Sequence, residues 1–442
     1  MTISIPKTGR SADDILAELE RRKASDTKWR EGKVFSLVYH AGEEHERLMQ
    51  KAHAIYASAN LLNPMAFSSL KQMESDIIEM TGRLFHCAGA VGTVTSGGTE
   101  SILCAVAAYR DRARRERPWV LRPELVVPTT LHPAFDKAAH YFGVRLKKVP
   151  IGEDLRANVR AMAKAISRRT IGLCASAPQY PHGVVDPIAE LGELAQEHGL
   201  PLHVDACVGG FVLPWIERLG RSVPKWDFRV PGVTSISADL HKFGYAAKGA
   251  STLTWRSIDH MKHQIFVATD FPGGIYASPT MIGTRPGGPI AAAWAALQSL
   301  GEDGYLALAK QSVDAADGLR AGIAKIPGLA LLGHSHSTIV SYEAKQLNVY
   351  AIADRMETRG WTMDRQHKPA SIHLTVTANH LKIVDAYVAD LRASVEEVRS
   401  NPALAKSGSA PMYGMAAKMP IRMFVKAQVR KVFAEMYSKG QP

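Results

Sequence analysis

Cysteine is scarce: four residues in 442, with no CxxC pair among them. That excludes a disulfide scaffold and a CxxC zinc or redox motif. Cys87, Cys104, Cys174 and Cys207 sit among apolar or small neighbours, which predicts buried free thiols and a reducing compartment. Long apolar runs are missing too. Nothing approaches the roughly 18 residues of a membrane span, and the opening MTISIPKTGRSADD has no apolar signal core. The formal net charge is +12, yet no basic block interleaves with aromatics, which argues against nucleic-acid binding. The densest cluster, residues 110–117, reads as the solvated face of a helix. An anionic substrate or an anionic membrane surface would also suit the excess charge. Metal motifs fail as well. His45-Glu46 is followed by Met49 where HExxH needs a second histidine, and His334 and His336 have no third ligand nearby, so no metal is expected. There are no internal repeats and no low-complexity segment.

Hydrophobic residues make up 46% and charged residues 22%, so the chain is long and apolar enough for a large core and several domains. Residues 11–14, SADD, open a helix expected to run to about residue 23. Up to about residue 58 there is mixed polarity and no sheet pattern, which reads as an arm packing on something else, such as a second subunit. Residues 70–84 read as a helix, with Met73, Ile77, Met80 and Leu84 at helical spacing. Strand and helix then alternate. Helices are predicted over 99–115, 133–142, 158–167 and 187–198, and strands over 124–127, 145–149, 170–175, 202–205 and 233–237. Alternation of this kind means βαβ units, a largely parallel sheet, and ligands at the C-terminal strand ends. Helices over 290–300 and 305–324 follow. The last third, with strands over 337–342 and 372–376 and helices over 349–359 and 381–398, reads as a smaller α+β domain. The expected division is an arm over 1–60, a large domain over 61–310 and a small domain over 311–442.

Within this frame the chemistry centres on residues 232–251, GVTSISADLHKFGYAAKGAS. A run of β-formers breaks into Asp239 and His241 and presents Lys242 among small residues. A lysine buried there can lose its proton near neutral pH and condense with an aldehyde. The segment TSGGTES, residues 95–101, precedes a long helix. Gly97 and Gly98 expose backbone amides at the positive end of that helix, a site for a phosphate. It is neither a Walker loop, since no lysine follows, nor a GxGxxG turn. Asp205 ends the strand in PLHVDACVGG and, if buried, needs a partner such as a protonated pyridine nitrogen. His132 follows another strand, where its flat ring could stack on a ligand. A phosphate turn, a ring-stacking histidine, a buried carboxylate and a lysine match the four parts of pyridoxal phosphate.

TSGGTES, HVDACVGGF and SISADLHKFGYAAKG closely resemble the pyridoxal-phosphate enzymes of the group II decarboxylase type. FSLVYH (35–40), PQYPHG (178–183), YASPT (276–280), GTRPGG (283–288) and MYGMA (412–416) are similar to the sphingosine-1-phosphate lyase branch in particular, so the likeness spans nearly the whole chain. The resemblance implies an α/β fold of type I and a homodimer with active sites shared between subunits. It implies that Lys242 is the Schiff-base lysine, that Asp205 pairs with the ring nitrogen and that His132 stacks on the ring. Gly98, Thr99 and His241 would hold the cofactor phosphate, joined by Thr284 of the other subunit, while Tyr39, Tyr180 and Lys248 would face the substrate. Two residues depart from the family pattern. Thr284 stands where serine is usual, which keeps the hydroxyl. Asn63 stands where histidine is usual and cannot serve as an acid or base near neutral pH. Without the amino-terminal membrane helix of relatives from higher cells, the chain resembles a soluble bacterial form, and its expected location is the cytoplasm, with export to a host cell left open.

The implied reaction is retro-aldol cleavage of the C2–C3 bond of a phosphorylated long-chain base, giving a fatty aldehyde and phosphoethanolamine. An amino-acid decarboxylase on the same fold would share Lys242, Asp205 and His132. Tyr39 and Lys248, suited to a substrate phosphate, separate the two. A cofactor-binding regulator without turnover would need a separate DNA-binding domain, for which the sequence has no candidate.

Overall fold

A computed structural model describes residues 4–408, 410 and 422–438 of the chain. Helix α1 (Ala12–Lys23) begins where Ser11 Oγ accepts the Asp14 N–H at 3.1 Å, with Asp13 and Asp14 in its first turn and Arg21, Arg22 and Lys23 in its last. Those charges complement the helix dipole, and none of the helix's residues is buried. Helix α2 (Glu43–Ile55) lies in the stretch that showed only mixed polarity; it buries Met49. Helix α3 (Ser68–Leu84) turns Leu70, Ile77 and Ile78 inward, close to the predicted span.

The alternating part of the chain then runs β1 (Val91–Thr95), α4 (Gly98–Glu116), β2 (Glu124–Pro128), α5 (Ala134–Phe142), β3 (Arg145–Val149), α6 (Val159–Ala165) and β4 (Thr170–Ser176). It continues through α7 (Ile188–Glu197), β5 (Leu202–Asp205), α8 (Leu213–Arg218), β6 (Val233–Ala238) and β7 (Ser251–Trp255). The seven strands lie in the order β1-β7-β6-β5-β4-β2-β3. Only β7 runs antiparallel to its neighbours, so the sheet is largely parallel as expected. Strands β4 to β7 are buried along their whole length, because helices cover both faces of such a sheet. The sequence reading placed neither β1 nor β7. Both are five-residue segments rich in Thr, Ser and Gly, whose strand character comes from their neighbours in the sheet.

After α9 (Ile258–Met261), the short hairpin of β8 (Phe266–Ala268) and β9 (Tyr276–Ser278) leads to α10 (Gly287–Ala324). The two helices expected over 290–300 and 305–324 are one run broken at Gly301, whose φ of 56° is a left-handed value open mainly to glycine. Strand β10 (Leu329–Leu331), β11 (Ile339–Ala344), α11 (Val349–Glu357), β12 (Asp364–His367), β13 (Ala370–Thr375), α12 (Val384–Ser400) and α13 (Arg422–Ser438) complete the described chain. A four-stranded antiparallel sheet, β10-β11-β13-β12, forms the smaller α+β unit. Its core joins Leu319 and Ile323 of α10 to Tyr342, Ile352, Leu374 and Tyr387. Phe35 belongs to it too, stacked on His380 at 4.5 Å and bonded through its backbone to Thr362 and Thr375. This part of the amino-terminal arm therefore packs within its own chain. All four cysteines are free thiols; Cys87 is half-buried and the others are buried.

One buried ion pair fixes the loop that enters α10. Arg285 reaches Glu74 of α3 and the carbonyl of Val94, and Glu74 also accepts the Val94 N–H at 3.0 Å. Replacing Glu74 by Ala strands a cation that is 5% exposed, so urea unfolding should show a loss of roughly 3–5 kcal/mol. Glu74→Leu with Arg285→Met should recover most of that loss, because no charge is then left unpaired.

Candidate active site

The C-terminal ends of β4, β5 and β6 converge on the amino-terminal end of α4 around a cavity of about 440 Å³. Lining it are Gly97, Gly98, Thr99, His132, Tyr180, Asp205, His241 and Lys242, which the sequence scattered over 146 positions of chain. The first-turn amides of α4 have no partner within the helix, so they can bind an anion. Gly98 is needed here: a Cβ would stand 2.6 Å from Cys207 Sγ and 2.7 Å from Asp239 Oδ1. Asp205 ends β5, 7% exposed, and its Oδ1 accepts the Cys207 N–H at 3.1 Å. His132 Nδ1 accepts the Ala134 N–H at 3.2 Å, which leaves Nε2 as the protonated ring nitrogen in the neutral form.

Asp239, 3% exposed, is the electrostatic centre of the site, a role the sequence reading did not assign it. Its Oδ2 lies 2.9 Å from Lys242 Nζ and 3.6 Å from His241 Nε2, while Oδ1 is buried without a hydrogen bond. Burial pushes its carboxyl up, but the charges of Lys242 and His241 outweigh this and hold it below the usual carboxylate value. The same pair acts on the lysine. Burial pulls the Lys242 amine down, yet Asp239 raises it well above an ordinary lysine. The sequence reading weighed burial alone; the carboxylate beside Lys242 acts in the opposite sense and favours the ammonium. His241 is pulled down, chiefly by burial. The signal for Asp239 was present, three residues before the lysine in the same motif.

Tyr180 donates its hydroxyl to Asp364 Oδ2 at 2.7 Å, a second residue the sequence reading missed, carried by a polar strand it did not place. Tyr39 and Lys248 line a neighbouring cavity of about 420 Å³ with Trp29, Met49 and Tyr245. They remain electrostatically linked to the first cavity. Burial pushes the Tyr39 phenol up to about 12 against the opposing charge of Lys242. Partial burial and Lys242 together pull the Lys248 ammonium down to about 8. Its Nζ lies 5.1 Å from the centre of the Tyr39 ring and donates to the His241 carbonyl at 3.1 Å, although the residue as a whole stays exposed. Two singled-out residues are not in either lining. Thr284 is exposed on the loop between β9 and α10. Asn63 is exposed and caps a local turn, accepting the Met65 and Ala66 N–H groups at 3.1 Å. The segment MYGMA (412–416) lies outside the described residues. Among the described residues, no group of three His, Cys, Asp or Glu side chains is placed to hold a metal.

These features fit pyridoxal phosphate: free helix-end amides for the phosphate, a ring histidine, a buried carboxylate and an amine, all lining one cavity. The pyridoxal-dependent decarboxylase conserved domain matches residues 2–345. The chain belongs to the pyridoxal-dependent decarboxylase family, whose cofactor is pyridoxal phosphate, and it is an enzyme of that class. A glutamate decarboxylase of Lactobacillus brevis shares the fold at a TM-score of 0.78 and 21% identity, over 90% of this chain and 95% of that one. Within the family the chain groups with the sphingosine-1-phosphate lyases. It is 42% identical to that lyase of Arabidopsis thaliana, over 93% of this chain and 77% of the plant protein. Against the sphingosine-1-phosphate lyase 1 of Rattus norvegicus identity is 40%, over 99% and 78%. The structure of the sphingosine-1-phosphate lyase of Burkholderia pseudomallei superposes at a TM-score of 0.88 with 38% identity, covering 95% and 98%.

Removing the counter-charge should reverse the state of the lysine. In cofactor-free protein methylated with 13C-formaldehyde, Lys242 should titrate above the ordinary lysine value of about 10.4. In Asp239→Asn, where burial is left as the largest influence on the amine, its midpoint should fall below that value. Identical midpoints would show that Asp239 does not control the amine.

Proposed function

We propose that this chain is a pyridoxal-phosphate-dependent lyase that cleaves the C2–C3 bond of phosphorylated long-chain sphingoid bases, sphingosine 1-phosphate among them. The products are a fatty aldehyde and phosphoethanolamine. The observation that carries the reading is that Lys242, the amino-terminal end of α4 and Asp205 line one cavity. Support for this substrate comes from the lyases named above and from Lys248, a cation beside the cofactor cavity.

When bound, pyridoxal phosphate supplies an aldehyde that takes up amines and a ring that draws off an electron pair. Asp205 would pair with the ring nitrogen. His132 would pack its ring on the cofactor ring. The amides of Gly98 and Thr99, with His241, would bind the phosphate. Lys242 Nζ would hold the cofactor through its aldehyde and would be the group placed to return a proton to C2 of the substrate. Tyr39 would accept the C3 hydroxyl proton as a phenolate, the form that the charge of Lys242 favours and burial opposes. Net, one proton leaves the C3 oxygen and one arrives at C2, so the two products together have the composition of the substrate. Lys248 holds the substrate phosphate. Because two phosphates meet in one site, that anion needs its own cation.

The assembly we propose is a homodimer with shared sites. The β8–β9 hairpin presents Phe266, Val267, Phe271 and Ile275 between 54% and 80% exposed, an apolar patch of the kind that marks an interface. Thr284 is exposed on the adjoining loop, where it would reach the partner's cofactor phosphate. Among the described residues, no helix is long and apolar enough to cross a membrane.

Incubation with a phosphorylated long-chain base, followed by mass spectrometry for the aldehyde, tests the reaction; carbon dioxide released from amino acids instead would favour a decarboxylase. Lys248 loses its charge as the pH rises through about 8, so kcat/KM for the phosphorylated base should fall above that pH. Lys248→Met should remove this limb and lower kcat/KM about ten- to a hundredfold, the worth of one charge-assisted contact. Shared sites can be tested by complementation. Heterodimers of a Thr284→Ala chain and a Lys242→Ala chain should regain one intact site, and no recovery would mean each site is built from one chain.

A further inference from the structure

The small sheet reaches into the active site at one point. Asp364 on β12 stands directly opposite His373 on β13 in the antiparallel register, so both side chains share a face. That face meets Tyr180. The Tyr180 ring stacks on His373 at 4.2 Å and 27°, and its hydroxyl donates to Asp364 Oδ2 at 2.7 Å. The following residue is held as well: the Pro181 carbonyl accepts from Gln366 at 2.8 Å and faces His373 Nδ1 at 3.3 Å. Tyr180 is thus fixed in plane by a stacked ring and in rotation by a carboxylate.

A phenol has one proton to donate. With that proton committed to Asp364, Tyr180 can offer the cavity only its lone pairs. We propose that Asp364 is a positioning residue that turns the Tyr180 hydroxyl into a fixed hydrogen-bond acceptor, one that recognises an N–H or O–H donor of the substrate rather than its phosphate. In that orientation Tyr180 is an acceptor toward the substrate and not a donor to it. The groups facing Tyr180 keep its proton in place. Burial and the charge of Asp364 push its phenol far up, Tyr39 adds to the rise, and Lys242 opposes it only in part. His373, pulled down to about 4 by burial, is uncharged at neutral pH and adds no cation.

The inference rests on the proposed reaction for its kinetic arm. Asp364→Ala should lower kcat/KM about ten- to a hundredfold, as for loss of a hydrogen bond to a charged acceptor. In a Tyr180→Phe background the same substitution should cost less than about twofold, because the hydroxyl it positions is already gone. Asp364→Asn, whose amide oxygen accepts the same bond, should recover most of the activity. The second arm needs no activity. In cofactor-free protein carrying 3-fluorotyrosine, the 19F line of Tyr180 is the one lost in Tyr180→Phe. It should stay a single line in Asp364→Asn, and split or broaden in Asp364→Ala as the ring loses its fixed orientation. Equal costs of Asp364→Ala in both backgrounds, or a Tyr180 line indifferent to Asp364→Ala, would overturn the proposal. Loss of the lyase reaction with a responsive Tyr180 line would overturn the proposed function and leave the positioning role standing.

Discussion

Burying Asp239 beside Lys242 sets the terms for the rest of the site. A carboxylate 3% exposed must be paired, and its partner is the lysine 2.9 Å away. The pair also dictates its surroundings. Gly98 has no Cβ because the carboxylate already fills that space, which brings the amino-terminal end of α4 against the lysine loop. His241 lies within 3.6 Å of the same oxygen. A phosphate at the helix end and an aldehyde at the lysine would therefore be held by one buried electrostatic cluster. For Lys242 to act as an amine, the ammonium that Asp239 stabilises would have to give up a proton, so the two charge states are opposed.

Around that cluster, rigidity comes from carboxylates that tie distant segments to the sheet ends. Glu100 in the first turn of α4 accepts the Ser96 N–H at 2.7 Å and the Met281 and Ile282 N–H groups at 2.9 and 3.0 Å. Glu74 and Arg285 anchor the same loop from beneath. Asp364 does the equivalent from the small sheet through Tyr180. Each bond joins elements more than 180 residues apart or spans the phosphate turn, so the cavity's shape depends on the two sheets staying in register with each other.

Much of the fold was legible because buried parallel strands read as apolar runs separated by amphipathic helices, and residues 124–238 are built that way. Strands β1, β7 and β12 were not legible. Their residues are largely Thr, Ser, Gly or polar and charged, and each owes its conformation to a hydrogen-bonded neighbour rather than to its own pattern. Helix α2 hid in a polar stretch because it turns only Met49 fully inward.

By itself the sequence determined which candidate groups stand next to predicted strand ends and helix starts: Lys242, Asp205, His132 and the Gly97–Gly98 turn. The tertiary structure alone decided how those groups are charged and aimed. Whether a lysine is an amine or an ammonium depends on a carboxylate within 3 Å of it, and whether a tyrosine donates or accepts depends on a partner from another sheet. Both are set by distance in space. The chain order places Asp364 184 residues from Tyr180, and only folding brings their oxygens to 2.7 Å.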